Sequence, residues 1–146
     1  MRYTIRAAAE DDITRILEIE HESITPPWTH GGLLGEIYNG DSFFALALDG
    51  KMIMGFIILR RAADEGELYQ IAVDRARRRQ GVADALMKAA LEWARDCGIN
   101  AIYLEVRKSN EAAVKLYQKH GFKKKGRRKD YYAEPAEDAA IMAWGK

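Results

Sequence analysis

Residues 71–87 read IAVDRARRRQGVADALM, and this stretch decides the fold. It continues a strand-like run (Leu68, Tyr69, Gln70, Ile71, Ala72, Val73), turns through Arg78-Arg79-Gln80-Gly81-Val82-Ala83 and enters a helical pattern. A strand that passes through a small-residue loop into a helix leaves several backbone N–H groups unpaired and pointing one way. Together with the positive end of the helix dipole they suit a phosphate or pyrophosphate. Gly81 and Ala83 let phosphate oxygens approach a nearly bare backbone, and Arg78 can add charge. The loop points to a phosphate-bearing ligand, and the rest of the chain decides which.

Downstream, Ala83, Leu86, Met87, Ala90, Leu91 and Ala94 recur at helical spacing until Gly98 stops them. A strand is expected at 101–106. Asn110 can N-cap the next helix, with Glu111 in its first turn and Ala112, Ala113, Leu116 and Tyr117 on its apolar face. Gly121 closes that helix, and two strands, 122–132 and 139–144, flank an exposed Glu134-Pro135-Ala136-Glu137 loop.

Upstream, 42–48 and 52–60 are apolar runs joined across Asp49-Gly50, a strong hairpin signal, and Glu65-Gly66 is expected to turn into the strand at 68–73. Residues 3–6 alternate like a strand. Asp11 or Asp12 can cap a helix through Ile13, Ile16, Leu17 and Ile19, which should stop near Ser23 because Pro26 and Pro27 forbid its continuation. After Trp28, Thr29 or His30 opens a short second helix through Leu33, Leu34 and Ile37. The order is strand, two helices, three strands, helix, strand, helix, two strands. That predicts a mixed α/β layer of six to seven strands and four helices.

The bulk numbers narrow the function. A chain of 146 residues, 48% hydrophobic and without repeat or linker, suits one domain over 1–146. Lys+Arg 23 against Asp+Glu 22 disfavours nucleic-acid binding through overall charge, though a local basic patch stays open. The lone Cys97 cannot form an intrachain disulfide and reads as packing rather than a nucleophile. With no long apolar stretch at the start, no membrane span is expected, and the plain expectation is a cytoplasmic protein. His21, His30 and His120 show no ligand spacing, so no metal is expected.

Three segments carry a family resemblance: IAVDRARRRQGVADALM, LEVRKSNEAAVKLYQKHGF (104–122) and KDYYAEPAEDAAIMA (129–143). The chain resembles the GNAT superfamily of acetyl-coenzyme-A-dependent N-acetyltransferases. Within it, it is most similar to the RimI family, which acetylates the N-terminal amine of a ribosomal protein. The resemblance implies a GNAT fold with acetyl-coenzyme A as co-substrate. It implies a pyrophosphate on the backbone of Arg79, Gln80, Gly81, Val82, Ala83 and Asp84, and a pantetheine arm paired to Ile71, Ala72 and Val73 like an added strand. Two positions depart from the family pattern: Asp84 sets a carboxylate beside the phosphates, and Ala133 stands where a proline often follows the paired tyrosines.

Catalytic roles follow from the same match. Glu105 is the candidate general base, acting through a water on an amine that must be neutral to attack a thioester. The bland alternative is a strand-end carboxylate paired with Arg107 or Lys108. Tyr117 is the candidate general acid for the departing thiolate, although periodicity alone reads it as core. Asn110 is a candidate contact for the cofactor arm or simply a helix cap. Trp28, Tyr131 and Tyr132 are candidates for gripping the acceptor. The run Lys123-Lys124-Lys125-Gly126-Arg127-Arg128-Lys129 reads either as solvated strand ends or as contact with ribosomal RNA or an acidic partner; no direct nucleic-acid function is expected. The expected reaction is acetyl transfer to a protein α-amine. Alternatives are a small-molecule amine or lysine as acceptor, or a non-enzymatic coenzyme A or ribosome-binding module.

Overall fold

A computed structural model describes residues 3–21 and 28–145. Seven strands form one sheet: β1 (Thr4–Ala7), β2 (Ser42–Asp49), β3 (Met52–Ala62), β4 (Glu65–Val73), β5 (Ala101–Arg107), β6 (Lys123–Tyr132) and β7 (Glu137–Gly145). The helices are α1 (Ile13–Glu20), α2 (His30–Ile37), α3 (Val82–Asp96) and α4 (Glu111–Lys119). Strand order is β1-β2-β3-β4-β5-β7-β6, and only the central β4–β5 pair is parallel. The expected mixed sheet and four helices are present.

Alternation along the strands divides the apolar residues between two faces. On one face Leu86, Met87, Ala90 and Ala94 of α3 and Val114 and Tyr117 of α4 pack on Ile57, Leu59, Ile102, Leu104 and Met142. On the other, Ile13, Ile16 and Ile19 of α1 and Leu33 of α2 pack on Leu46, Phe56 and Ile58. This second cluster takes no residue from β5, β6 or β7. On this face no helix among the described residues packs on β5, β6 or β7, and Tyr103 there is 38% exposed.

Several local readings need correction. Glu65 and Gly66 are the first rungs of β4, not a turn, and Ala63 bends the chain instead with φ +56°. Asp12 does not cap α1 with its side chain; its carboxylate accepts the Ala9 N–H at 2.8 Å and pairs with Arg6. Thr29 is the cap of α2, accepting the Gly32 N–H at 3.0 Å. In α4 it is Val114 that is buried beside Tyr117, while Ala112 faces solvent. The expected stop of α1 near Ser23, and Pro26 and Pro27, lie outside the described residues. No helix among the described residues is long and apolar enough to cross a membrane.

Candidate functional site: a split between the central strands

β4 and β5 pair over only three rungs, Glu65–Ala101, Gly66–Ile102 and Glu67–Tyr103. Just beyond, the β3–β4 register skips Tyr69, a bulge that bends β4 away from its neighbour. Parallel strands then part and leave a cleft. Asp74 donates its N–H to Met54 O at 2.8 Å. Alternation of the antiparallel ladder therefore turns the backbone of Ala72 towards β3 and the backbones of Ile71 and Val73 into the cleft. Of the three residues expected on this edge, Ile71 and Val73 turn their backbones to the cleft and Ala72 does not, and the Val73 carbonyl there accepts from Arg78 Nε at 3.4 Å. Gly55 permits the tight β3–β4 approach, since a Cβ on it would sit 2.6 Å from Ala72 O.

The cleft ends at the loop before α3. Arg79 and Gly81 both hold left-handed backbone, φ +63° and +82°. Gly81 is the N-cap and offers no side-chain oxygen, so the first N–H groups of α3, on Val82, Ala83 and Asp84, have no capping partner. A non-glycine residue held left-handed stores of order 1–2 kcal/mol, a cost that clusters at functional loops. Tyr3 fixes the loop from below by donating its hydroxyl to Gln80 O at 2.7 Å. Arg78 reaches back to Val73 O at 3.4 Å, and its side chain and that of Arg79 are exposed. Asp84 turns to α4, pairing with His120 Nε2 at 2.8 Å and Lys119 Nζ at 3.1 Å. Burial pushes its carboxyl up, but these partners outweigh burial and hold it below the ordinary carboxylate range. The suspect charge is thus already neutralised by α4.

Glu105 lies across the cleft on the uncovered face of β5. It pairs with neither Arg107 nor Lys108. Its Oε2 lies 3.0 Å from Arg128 Nε, yet no donor is aligned on that buried oxygen, so the contact is an ion pair without a hydrogen bond. Arg128 is 60% exposed, which makes the pair weak and the guanidinium free to leave. Glu67, Tyr103, Glu105, Arg128 and Ile141 line a cavity of about 170 Å³ at the point where β4 and β5 separate.

Tyr117 is buried in the α3–α4 core, its ring 5.8 Å from Phe122. Burial first, and the Tyr132 phenol second, push its pKa well above that of an ordinary tyrosine, so it stays protonated. Tyr132 itself is pushed up to about 12 by burial, then by Tyr131 and Glu105. It is thus within electrostatic reach of both Glu105 and Tyr117. Arg107 fixes it. This guanidinium, 4% exposed, lies 4.4 Å over the Tyr132 ring, donates to Pro135 O at 2.8 Å and pairs with Glu137 at 3.4 Å. Glu137 also accepts the Ser109 N–H and hydroxyl. Asn110 accepts the Ala113 N–H at 3.2 Å, which makes it the cap of α4.

The expected acceptor residues fall on two sides. Tyr131, 48% exposed, stands edge-on to Tyr132 at 5.0 Å with Arg128 over its outer face. Its hydroxyl is pushed up by burial and by the negative charge of Glu105. The Trp28 ring lies 5.8 Å from that of Tyr69, tilted by 46°, and Tyr69 carries Arg60 on its ring; Arg60 pairs with the buried Glu36. The backbone N–H of Trp28 donates to the buried Glu20. Sequence reading missed Glu67, Tyr69, Tyr103 and Arg107. Glu67 stands opposite Tyr103, a placement the sequence hides because the apolar run of β4 begins only at Leu68. Among the described residues no group of three or more His, Cys, Asp or Glu is placed to hold a metal.

Comparison with known proteins gives the family. The chain is 37% identical to the ribosomal protein bS18-alanine N-acetyltransferase of Haemophilus ducreyi over 143 residues, covering 95% of this chain and 97% of that one. The crystal structure of the Escherichia coli ribosomal-protein-S18-alanine N-acetyltransferase superposes with TM-score 0.89 at 30% identity, covering 98% of this chain and 93% of that one. The PaiA N-acetyltransferase of Thermoplasma acidophilum in complex with coenzyme A shares the fold, with TM-score 0.84 at 22% identity over the whole of both chains. The profile of the acetyltransferase (GNAT) family matches residues 3–122. The chain belongs to that family and is an acetyl-coenzyme-A-dependent N-acetyltransferase.

Proposed function

We propose that residues 1–146 act as one cytoplasmic domain that acetylates the N-terminal α-amine of a ribosomal protein, an alanine terminus of the bS18 kind. Support for this acceptor comes from bS18-alanine N-acetyltransferases at 30–37% identity, which match this chain almost end to end. The residues present fit coenzyme A. A bare left-handed N-cap at Gly81 with free α3 N–H groups suits a pyrophosphate, exposed Arg78 and Arg79 add charge, and the Ile71 and Val73 edge suits an amide-bearing arm.

Acetyl-coenzyme A supplies the activated acyl group as a thioester. Glu105 takes a proton from the acceptor amine through a water as nitrogen bonds to the acyl carbon and the carbon–sulfur bond breaks. Tyr117 gives its phenol proton to the departing sulfur, a role that needs a phenol held protonated at working pH. An α-amine with pKa about 7.7–8.0 is partly neutral near pH 7, whereas a lysine at about 10.4 is not. A single carboxylate is enough for the former. Tyr131, Tyr132 and Trp28 border the acceptor path. Asn110 keeps its capping role and its amide nitrogen stays available to the cofactor arm.

The observation that carries the reading is the position of Glu105 in a cavity opening where β4 and β5 part. The test is kcat/KM for matched peptides, each with one lysine and differing only in a free or blocked N-terminal alanine. The free peptide is expected to be strongly preferred. Equal acetylation of the blocked peptide would overturn the α-amine acceptor.

A further inference from the structure

β6 is unlike every other strand. It lies at the sheet edge next to β7 alone, and all seven residues 123–129 are exposed. They carry six of the chain's 23 Lys and Arg and none of its 22 Asp and Glu. The remainder of the chain therefore holds 17 cations against 22 anions, so the positive charge is concentrated on one edge. Arg127 pairs with Asp138 and Arg128 with Glu105, but Lys123, Lys124, Lys125 and Lys129 have no ion-pair partner among the described residues.

Edge lysines also guard against strand-to-strand aggregation. That role does not by itself call for six cations in seven residues beside two breaks in register. The register with β7 skips Lys125 and breaks again between Arg128 and Tyr132. These breaks disturb the spacing of outward backbone groups, so an acidic peptide could not add as a regular strand. A phosphate backbone needs no such regularity, because it is held by flexible point charges. Alternation sends the lysines to both sides of the strand, and with neither side of β6 covered all of them remain usable.

We propose that β6 is an RNA-docking edge that tracks a phosphate backbone through Lys123, Lys124, Lys125 and Lys129. Arg128 belongs both to this strand and to the Glu105 cavity, so RNA lying along β6 borders the acceptor cleft. The choice of RNA over other polyanions rests on the proposed ribosomal-protein acceptor. A protein terminus carried on RNA would then be presented beside Glu105.

The experiment measures fluorescence anisotropy of a labelled 20-nucleotide unstructured RNA with the whole protein across a salt series. A parallel arm measures acetylation of a free bS18-type peptide. The wild type is expected to bind with a log–log salt slope of about −3, from roughly 0.7 per phosphate for four lysines. K123E/K124E/K125E should lose at least ten-fold in RNA affinity with melting temperature and peptide kcat/KM within two-fold of wild type. No binding at about 50 mM salt, or undiminished binding by the triple variant, would overturn the docking edge. So would polyglutamate competing as well as RNA at equal charge, since that outcome marks an acidic-protein partner. Peptide acetylation without RNA binding removes this proposal alone; RNA binding without peptide acetylation removes the acceptor reading alone.

Discussion

The two walls of the cleft are built in different ways. The wall of β4, its loop and α3 presents backbone: the Ile71 and Val73 edge and the first N–H groups of α3 behind left-handed Arg79 and Gly81. The wall of β5, β6 and β7 presents side chains: Glu105, Tyr131 and Tyr132, held by Arg107, Arg128 and Glu137. A backbone wall serves a ligand that is the same in every turnover and tolerates exchange of its side chains. A side-chain wall can be retuned residue by residue, as acceptor choice requires. Substitutions on the two walls should therefore fail in different kinetic parameters.

The largest effect is expected at Glu105. Glu105→Gln should lower kcat roughly 10²-fold or more at pH 7. The deficit should shrink as pH passes the α-amine pKa of about 7.7–8.0 and the acceptor deprotonates unaided. A deficit constant from pH 6.5 to 9 would make Glu105 an orienting group. An unchanged rate would remove it from the mechanism.

Tyr117→Phe comes next. The ring still fills its place against Phe122, so the melting temperature should hold while kcat falls about ten- to hundred-fold. The phenol is pushed above its ordinary pKa, so its proton stays available up to high pH and no alkaline loss of activity below pH 9 should trace to it. A fall in stability with kcat intact would return Tyr117 to the core.

A pair of milder variants separates the walls. Arg107→Lys keeps the charge but cannot span Pro135 O, Glu137 and the Tyr132 face together. The acceptor KM should rise several-fold with the acetyl-coenzyme A KM little changed. Gly81→Ala meets no protein atom within 4 Å, so its cost to the fold is the left-handed φ, about 1–2 kcal/mol of strain, and its added methyl faces the phosphate site. It should raise the acetyl-coenzyme A KM and spare that of the acceptor. If both variants move the same parameter, the two walls are one unit.

That division also explains what could be read before the structure. The backbone wall is one continuous stretch, strand to loop to helix, and its chemistry follows from local rules about glycine, helix ends and dipoles. The order of elements along the chain was legible for the same reason, because hairpin signals and helix periodicity are short-range. The side-chain wall joins Tyr103, Glu105, Arg128 and Ile141, which meet only through the β5-β7-β6 order, with Glu67 of β4 facing them where the two strands part. No local pattern shows that Arg128, rather than Arg107, faces Glu105. Nor could spacing show that β4 and β5 part after Glu67, since the bulge at Tyr69 is a property of register rather than of composition.

The smallest effect is expected at Asp84, beside the backbone wall. Its carboxyl is held below the ordinary range, so the folded protein binds fewer protons there than the unfolded chain. The stabilisation is therefore present above the unfolded pKa of about 3.9 and fades as pH falls through the lower folded value. The side chain is 36% exposed, so screening limits the contribution to about 1 kcal/mol or less, some 2–4 °C in melting temperature. Asp84→Asn should show that deficit at pH 7, and the gap to wild type should close as both are melted towards pH 3. Acetyl-coenzyme A affinity should stay within two-fold, because Lys119 and His120 already balance the charge. A several-fold gain in affinity would mean that the carboxylate does oppose the phosphates, and that the backbone wall is not indifferent to its side chains.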